Sequence, residues 1–197
     1  KEKELIMQKN HRKMLPVISG ILLIILALGY FIYRSDFKLP DDYYDYSVKE
    51  ISSGDKTVFI KISCETVLDN MDKLDSGIIS GGYIPEDGII LPKTEYVLEE
   101  NDSVFSILLR AARHNRIHLD FTGNTGDISS VIYVKGINHI YEYSCGPLSG
   151  WLFKVNGEFS SKESSGHLIN DGDFVEWIYT CDLGRDVGSI YFEDTSE

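Results

Sequence analysis

The fold class this sequence predicts is α+β: a sheet of short strands packed on one helix, with a single apolar span before it. Three observations predict it. TVFIKISC (57–64) and FVEWIYTC (174–181) alternate apolar and polar positions with the period of two that a half-buried strand requires. SVFSILLRAARHN (103–115) is the one stretch with clear helical spacing, placing Val104, Leu108, Ala111 and Ala112 on one face. Turn dipeptides punctuate the remainder, and 12 Tyr against 3 Met favour strands over a helical bundle.

Taken in order, residues 1–14 are a basic tail with five Lys or Arg against two Glu. Residues 15–33, LPVISGILLIILALGYFIY, follow without a charge. At about 1.5 Å per residue they reach roughly 28 Å, the thickness of a bilayer's hydrocarbon. His11, Arg12 and Lys13 precede them; Asp36, Asp41 and Asp42 follow. Cationic flanks resist translocation, so the expectation is a single-span anchor with a cytoplasmic N-terminus and an extracellular C-terminal domain. The alternative is a secretory segment cleaved after Gly29. Residues 34–56 are polar and acidic and read as a stalk.

The folded domain spans residues 57–183, and residues 184–197 form a tail. After the first strand, ETVLDNMDKLDSG reads as a short helix or turns, GIISGGYIPEDGIILP as a glycine- and proline-punctuated loop, and KTEYVLEE as a second strand. Asp102 or Ser103 caps the helix, and Asn115 ends it. IHLDF and SVIYVKGI are strands. Asn156-Gly157 joins WLFKV to EF as a hairpin, because both turn positions need positive φ. Asp171-Gly172-Asp173 turns the chain into its closing strand.

The composition also excludes functions. The net charge is −12, and since residues 1–14 are net basic, the acidity lies entirely in the rest. A polyanion gains nothing by approaching a nucleic acid. The chain has no G-x-S-x-G elbow, no H-E-x-x-H and no phosphate-cradling loop, so no catalytic residue is assigned and the protein is not expected to be an enzyme. No ligand pair has C-x-x-C spacing, so no metal site is expected. His118, His139 and His167 are scattered and read as polar surface.

GPLSGWLFKVNG (146–157), followed by INDGDFVEWIY and preceded by NDSVFSILLRAA and GIILP, resembles the transcobalamin-like C-terminal domain. That domain occurs in exported proteins of Gram-positive bacteria and at the C-terminus of animal cobalamin carriers. The resemblance covers roughly residues 57–183. Its most specific elements are Gly146-Pro147, Ser149-Gly150-Trp151, Val155-Asn156-Gly157 and Asp171-Gly172-Asp173 followed by Trp177. It implies a β-grasp-like curved mixed sheet around one helix. In the animal carriers this domain covers one face of a corrinoid while a helical barrel supplies the other, and these 197 residues contain no such barrel.

The resemblance makes Pro147, Leu148, Ser149, Trp151 and Asn156 candidate ligand-binding residues, with Pro147, Leu148 and Trp151 as an apolar rim. The competing reading puts Trp151 and Phe153 on the inner face of a strand. No cofactor is required; cobalamin or another corrinoid is the implied ligand, and a vitamin importer or a cell-surface protein the implied partner. The other class of function is a structural or interaction module at the cell surface. If the first and last strands lie parallel and adjacent, as β-grasp folds arrange them, Cys64 and Cys181 are the candidate disulfide. Cys64–Cys145 is the alternative pairing.

Overall fold

The computed structural model describes residues 48–125 and 131–189. The chain divides into two units, Lys1–Asp45 and Tyr46–Glu197. The basic tail and the apolar span at 15–33 belong to the first and lie outside the described residues, as do most of the acidic stalk and residues 190–197. Among the described residues no helix is long and apolar enough to cross a membrane.

The second unit is mixed α+β. Strand β1 (Thr57–Ser63) lies inside a five-stranded sheet. Val58, Ile60 and Ile62 are fully buried on one of its faces. On the other, the ammonium of Lys93 sits 4.4 Å from the ring centroids of both Phe59 and Phe174, closing that face with a cation over two aromatic rings. β1 pairs antiparallel with β2 (Ile89–Val97) and parallel with β8 (Phe174–Thr180). β8 pairs antiparallel with β6 (Gly150–Val155), which turns into β7 (Glu158–Phe159), giving the order β2-β1-β8-β6-β7. A smaller sheet joins β3 (Leu119–Thr122), β4 (Tyr133–Ile137) and β5 (Ile140–Tyr141).

Two short helices precede β2: α1 (Glu65–Leu68) and α2 (Ser76–Gly81). The expected loop over residues 77–92 therefore resolves differently, its first part completing α2 and its last part, IILP, opening β2. The carboxylate of Asp75 accepts the Gly77 N–H at 2.7 Å and starts α2, which buries no residue. A helix with no apolar stripe leaves no periodicity to read. Pro92, lacking an N–H, is tolerated in β2 because β2 is an edge strand, and the register slips there: Ile60 faces Thr94 and Ile62 faces Leu91.

Helix α3 (Val104–Asn115) packs on the sheet through Val104, Phe105, Ile107, Leu108 and Ala111, a broader stripe than the sequence spacing implied. Ser103 caps it: its hydroxyl accepts the Ser106 N–H at 3.2 Å, and the Ser106 hydroxyl accepts the Ser103 N–H at 2.7 Å. Arg116, at φ 56, ends it in the left-handed region. Asp102, the other expected cap, instead receives Arg110 at 2.6 Å.

The stretch after β8 is bound to the fold. Leu183 N–H donates to Leu148 C=O at 2.7 Å, Cys181 N–H donates to the Asp186 carboxylate at 2.7 Å, and Ser189 is buried.

Candidate functional site

The β6–β7 hairpin exists because Asn156 and Gly157 take φ values of 54° and 85°, the pair a two-residue hairpin turn requires. The Asn156 amide donates to the Asp173 carboxylate at 2.8 Å, and its carbonyl accepts the Phe174 N–H at 2.9 Å. The turn is thereby tied to the start of β8, and the hairpin is held beside it. Register then sets Trp151 opposite Tyr179 and Phe153 opposite Trp177. All four stand on the face that carries Val175, which is the inner face.

A cavity of about 300 Å³ opens between the hairpin and the segment leading into β4. Trp151, Phe153, Phe159, Trp177, Ile132 and Tyr133 line it, together with serines 160, 161, 164 and 189 and Glu163. The cavity is mostly apolar with a few polar groups in its lining, as small-molecule sites generally are.

The two indoles in this cavity differ in one respect. Trp151 donates its Nε1–H to the Ile140 carbonyl at 2.8 Å. Trp177, 3% exposed, has its Nε1 buried with no hydrogen-bond partner. A buried donor without a partner costs about 1–3 kcal/mol, so Trp177 is an acceptor-seeking group in an otherwise apolar site. The Ser160 hydroxyl and His167 Nδ1 lie 2.7 Å apart. Burial holds His167 below the ordinary histidine value, with Lys162 acting in the same direction. Tyr133 bonds the Glu142 carboxylate, and that bond first, then burial, pushes its hydroxyl up to about 12.

The residues singled out from sequence are not brought together. Trp151 lines the cavity. Pro147 and Leu148 lie on a separate depression of about 540 Å³ that also includes Lys73, Cys145, Cys181 and Asp186. Ser149 is buried, where its hydroxyl accepts from Tyr179 Oη at 2.9 Å and from the Cys145 N–H at 3.0 Å and donates to the Gly146 carbonyl at 2.8 Å. It holds the turn in place. Asn156 organises the hairpin tip. Residues sequence reasoning passed over as site members are Trp177, Tyr133 and Phe159. Trp177 has the alternation of a core residue, and nothing in a linear pattern signals that its N–H lacks a partner.

The cysteines also fall differently from the expected Cys64–Cys181 pair. Ser63 aligns with Ile178, and continuing that register sets Cys64 beside Tyr179, two residues short of Cys181. All three are buried free thiols, and the sulfur next to Cys181 is that of Cys145, at 3.0 Å. His118 and His139 stack at 4.2 Å, with Tyr83 4.3 Å from His139. Among the described residues, no group of three or more His, Cys, Asp or Glu is arranged to hold a metal ion.

A family model described as "Domain of unknown function (DUF4430)" matches residues 101–180, from the entry to α3 through the end of β8. That range holds both cavity tryptophans. No curated protein matches. Among solved structures, haptocorrin in complex with Cbi is similar at 12% identity and a TM-score of 0.41, over 68% of this chain and 27% of that one. A candidate metal-binding protein from Ruminococcus gnavus ATCC 29149 is similar at 10% identity and a TM-score of 0.35, over 64% of this chain and 96% of that one. The chain thus spans about a quarter of the haptocorrin chain.

Proposed function

We propose that the unit beginning at Tyr46 is a ligand-binding module, held outside the cell behind the apolar span at residues 15–33, and that its ligand enters the cavity between the β6–β7 hairpin and β4. The observation that carries this reading is the aromatic cavity itself, lined by both indoles together with Phe153 and Phe159. We read the strand order, with first and last long strands parallel and adjacent and one amphipathic helix on the sheet, as β-grasp-like. Together with the 146–157 motif, this makes a corrinoid our leading ligand. The periphery of a corrin carries amide side chains of a size that such a cavity takes up. A cavity of about 300 Å³ admits such a side chain and not the macrocycle, so the ring would rest on the rim. The role is capture rather than catalysis, with hand-over to a membrane importer.

The chain has two tryptophans and both line the cavity, so intrinsic fluorescence reports on it directly. Titrating the full chain with cobinamide and with cobalamin should give saturable quenching and matching calorimetric heat. Trp177→Phe keeps an aromatic group but a smaller one, and removes the indole donor. It should bind about tenfold more weakly, because the smaller ring no longer completes the cavity wall. Absence of saturable binding by either corrinoid would sink that ligand assignment. Binding unchanged in Trp177→Phe would remove the cavity from the site.

A second reading, a protein-interaction module, is favoured by the exposed Val131, Tyr133, Tyr143 and Leu148. Co-purification of a stoichiometric surface protein, lost in Leu148→Glu or Tyr143→Glu, would support it.

A further inference from the structure

We propose that Cys145 and Cys181 are a disulfide-forming pair that clamps the turn before β6 to the end of β8, and that Cys64 remains a thiol. The sulfur atoms already lie 3.0 Å apart. Cys145 is 1% exposed and Cys181 9%, and both sit in one apolar cluster with Tyr179. The backbone around each is fixed independently. Cys145 N–H donates to Ser149 Oγ at 3.0 Å, and Cys181 N–H to the Asp186 carboxylate at 2.7 Å. β6 and β8 bring the two segments together, since Gly150 pairs with Thr180 and the Leu183 N–H reaches the Leu148 carbonyl at 2.7 Å. Closing the bond therefore needs a small side-chain adjustment and no rearrangement of either strand.

Access comes from the open depression that Cys145 and Cys181 line together with Gly146, Pro147 and Leu148. Cys64 does not line it. The co-reactant is a low-molecular-weight disulfide, RSSR. The Cys181 thiol, the more exposed of the two, loses its proton and attacks one sulfur of RSSR, forming a mixed disulfide and expelling RS⁻. The Cys145 thiolate then attacks Cys181 Sγ and expels the second RS⁻. The two protons lost by the cysteines end on the two released thiolates, so two protein thiols are oxidised and RSSR is reduced to two RSH. Burial, followed by the neighbouring Cys145, pushes the Cys181 thiol up to about 12, so the exchange is slow at neutral pH and accelerates as pH rises.

The bond would close a loop across residues 36 apart and tie down the wall of the depression that carries Pro147 and Leu148. Constraining a loop of that length should raise the thermal midpoint by an amount on the order of 10 °C.

The test incubates the native full chain with oxidised glutathione, then denatures it and alkylates free thiols. One alkylated cysteine per chain, mapped to Cys64, is expected, against three after reduction. Cys64→Ser should still form the bridge. Cys145→Ser should stop at a glutathione adduct on Cys181. Recovery of three alkylatable thiols from the native chain, or a bridge containing Cys64, overturns the proposal. So does a bridge in Cys64→Ser that leaves the thermal midpoint where reduction leaves it, because the clamp would then constrain nothing.

Discussion

Asp102 shows how much a single side chain can carry at the base of a helix. Its side chain is 4% exposed, and its carboxylate takes Arg110 at 2.6 Å, the Ser106 hydroxyl at 2.7 Å and the Glu99 N–H at 2.8 Å. Arg110, itself 16% exposed, also donates to the Val97 carbonyl at 3.0 Å, which joins α3 to the end of β2. Asp102→Ala removes the buried one of the two carboxylates on that guanidinium, leaving it only the exposed Glu99 at 3.0 Å, and removing one partner of a buried pair typically costs about 3–5 kcal/mol. Urea denaturation should show a loss of that order, whereas Glu99→Ala, whose carboxylate is 57% exposed, should cost well under 1 kcal/mol. The sequence pointed to Asp102 as a cap because an Asp before an amphipathic run is a cap signal. Which of the two neighbours caps and which forms the ion pair depends on where Arg110 lands, one turn and more away along the helix.

Among the elements, the hairpin and the turn after β8 separate two causes of glycine preference. Gly157 has φ 85°, and a Cβ placed there meets nothing within 4 Å. Gly184 has φ 87°, and its Cβ would come within 2.7 Å of Ser189 Cβ and 2.9 Å of Leu152 Cδ1. Gly157→Ala should therefore cost about 1 kcal/mol, the left-handed conformation alone, and Gly184→Ala distinctly more, because strain and overlap add. Chemical denaturation of the two variants checks the ranking. The hairpin was legible in advance because Asn-Gly is a local signal. The turn at 184 was not, since its constraint comes from the packing of Ser189 and of Leu152, the latter on a strand more than thirty residues earlier. β1, β8 and α3 were legible for the same local reason, each having a clear period. α2 was missed because it buries nothing.

At the scale of the whole molecule, the titrating groups define a pH window. Burial holds His167 below the ordinary 6.5, and His139 is lowered for the same reason. The unfolded chain therefore binds protons more readily than the folded one as pH falls below about 6.5, and stability declines until the folded values are passed. On the alkaline side, Cys64 and Cys181 are raised from 9.0 to about 12 by burial. Tyr179 is raised from 10.0 to about 12 by burial, and Tyr133 likewise, chiefly by its bond to Glu142. Here the unfolded chain releases protons first, so stability declines as pH rises above 9 and further above 10. A urea midpoint followed across pH should be highest between about 7 and 8.5 and fall on both sides. His167→Gln should flatten part of the acid limb. A midpoint rising from pH 8 to 10 would contradict the alkaline assignment.

The sequence by itself determined the α+β class, the strands at residues 57 and 174, the capped helix and the Asn-Gly hairpin, because each is written in residues near one another along the chain. Only the tertiary structure decided which sulfur meets Cys181, that Trp151 and Leu148 belong to different depressions, and that Trp177 Nε1 has no partner. Strand register and the packing of one sheet against another fix those outcomes, and both depend on residues dozens of positions apart whose alignment no local pattern specifies.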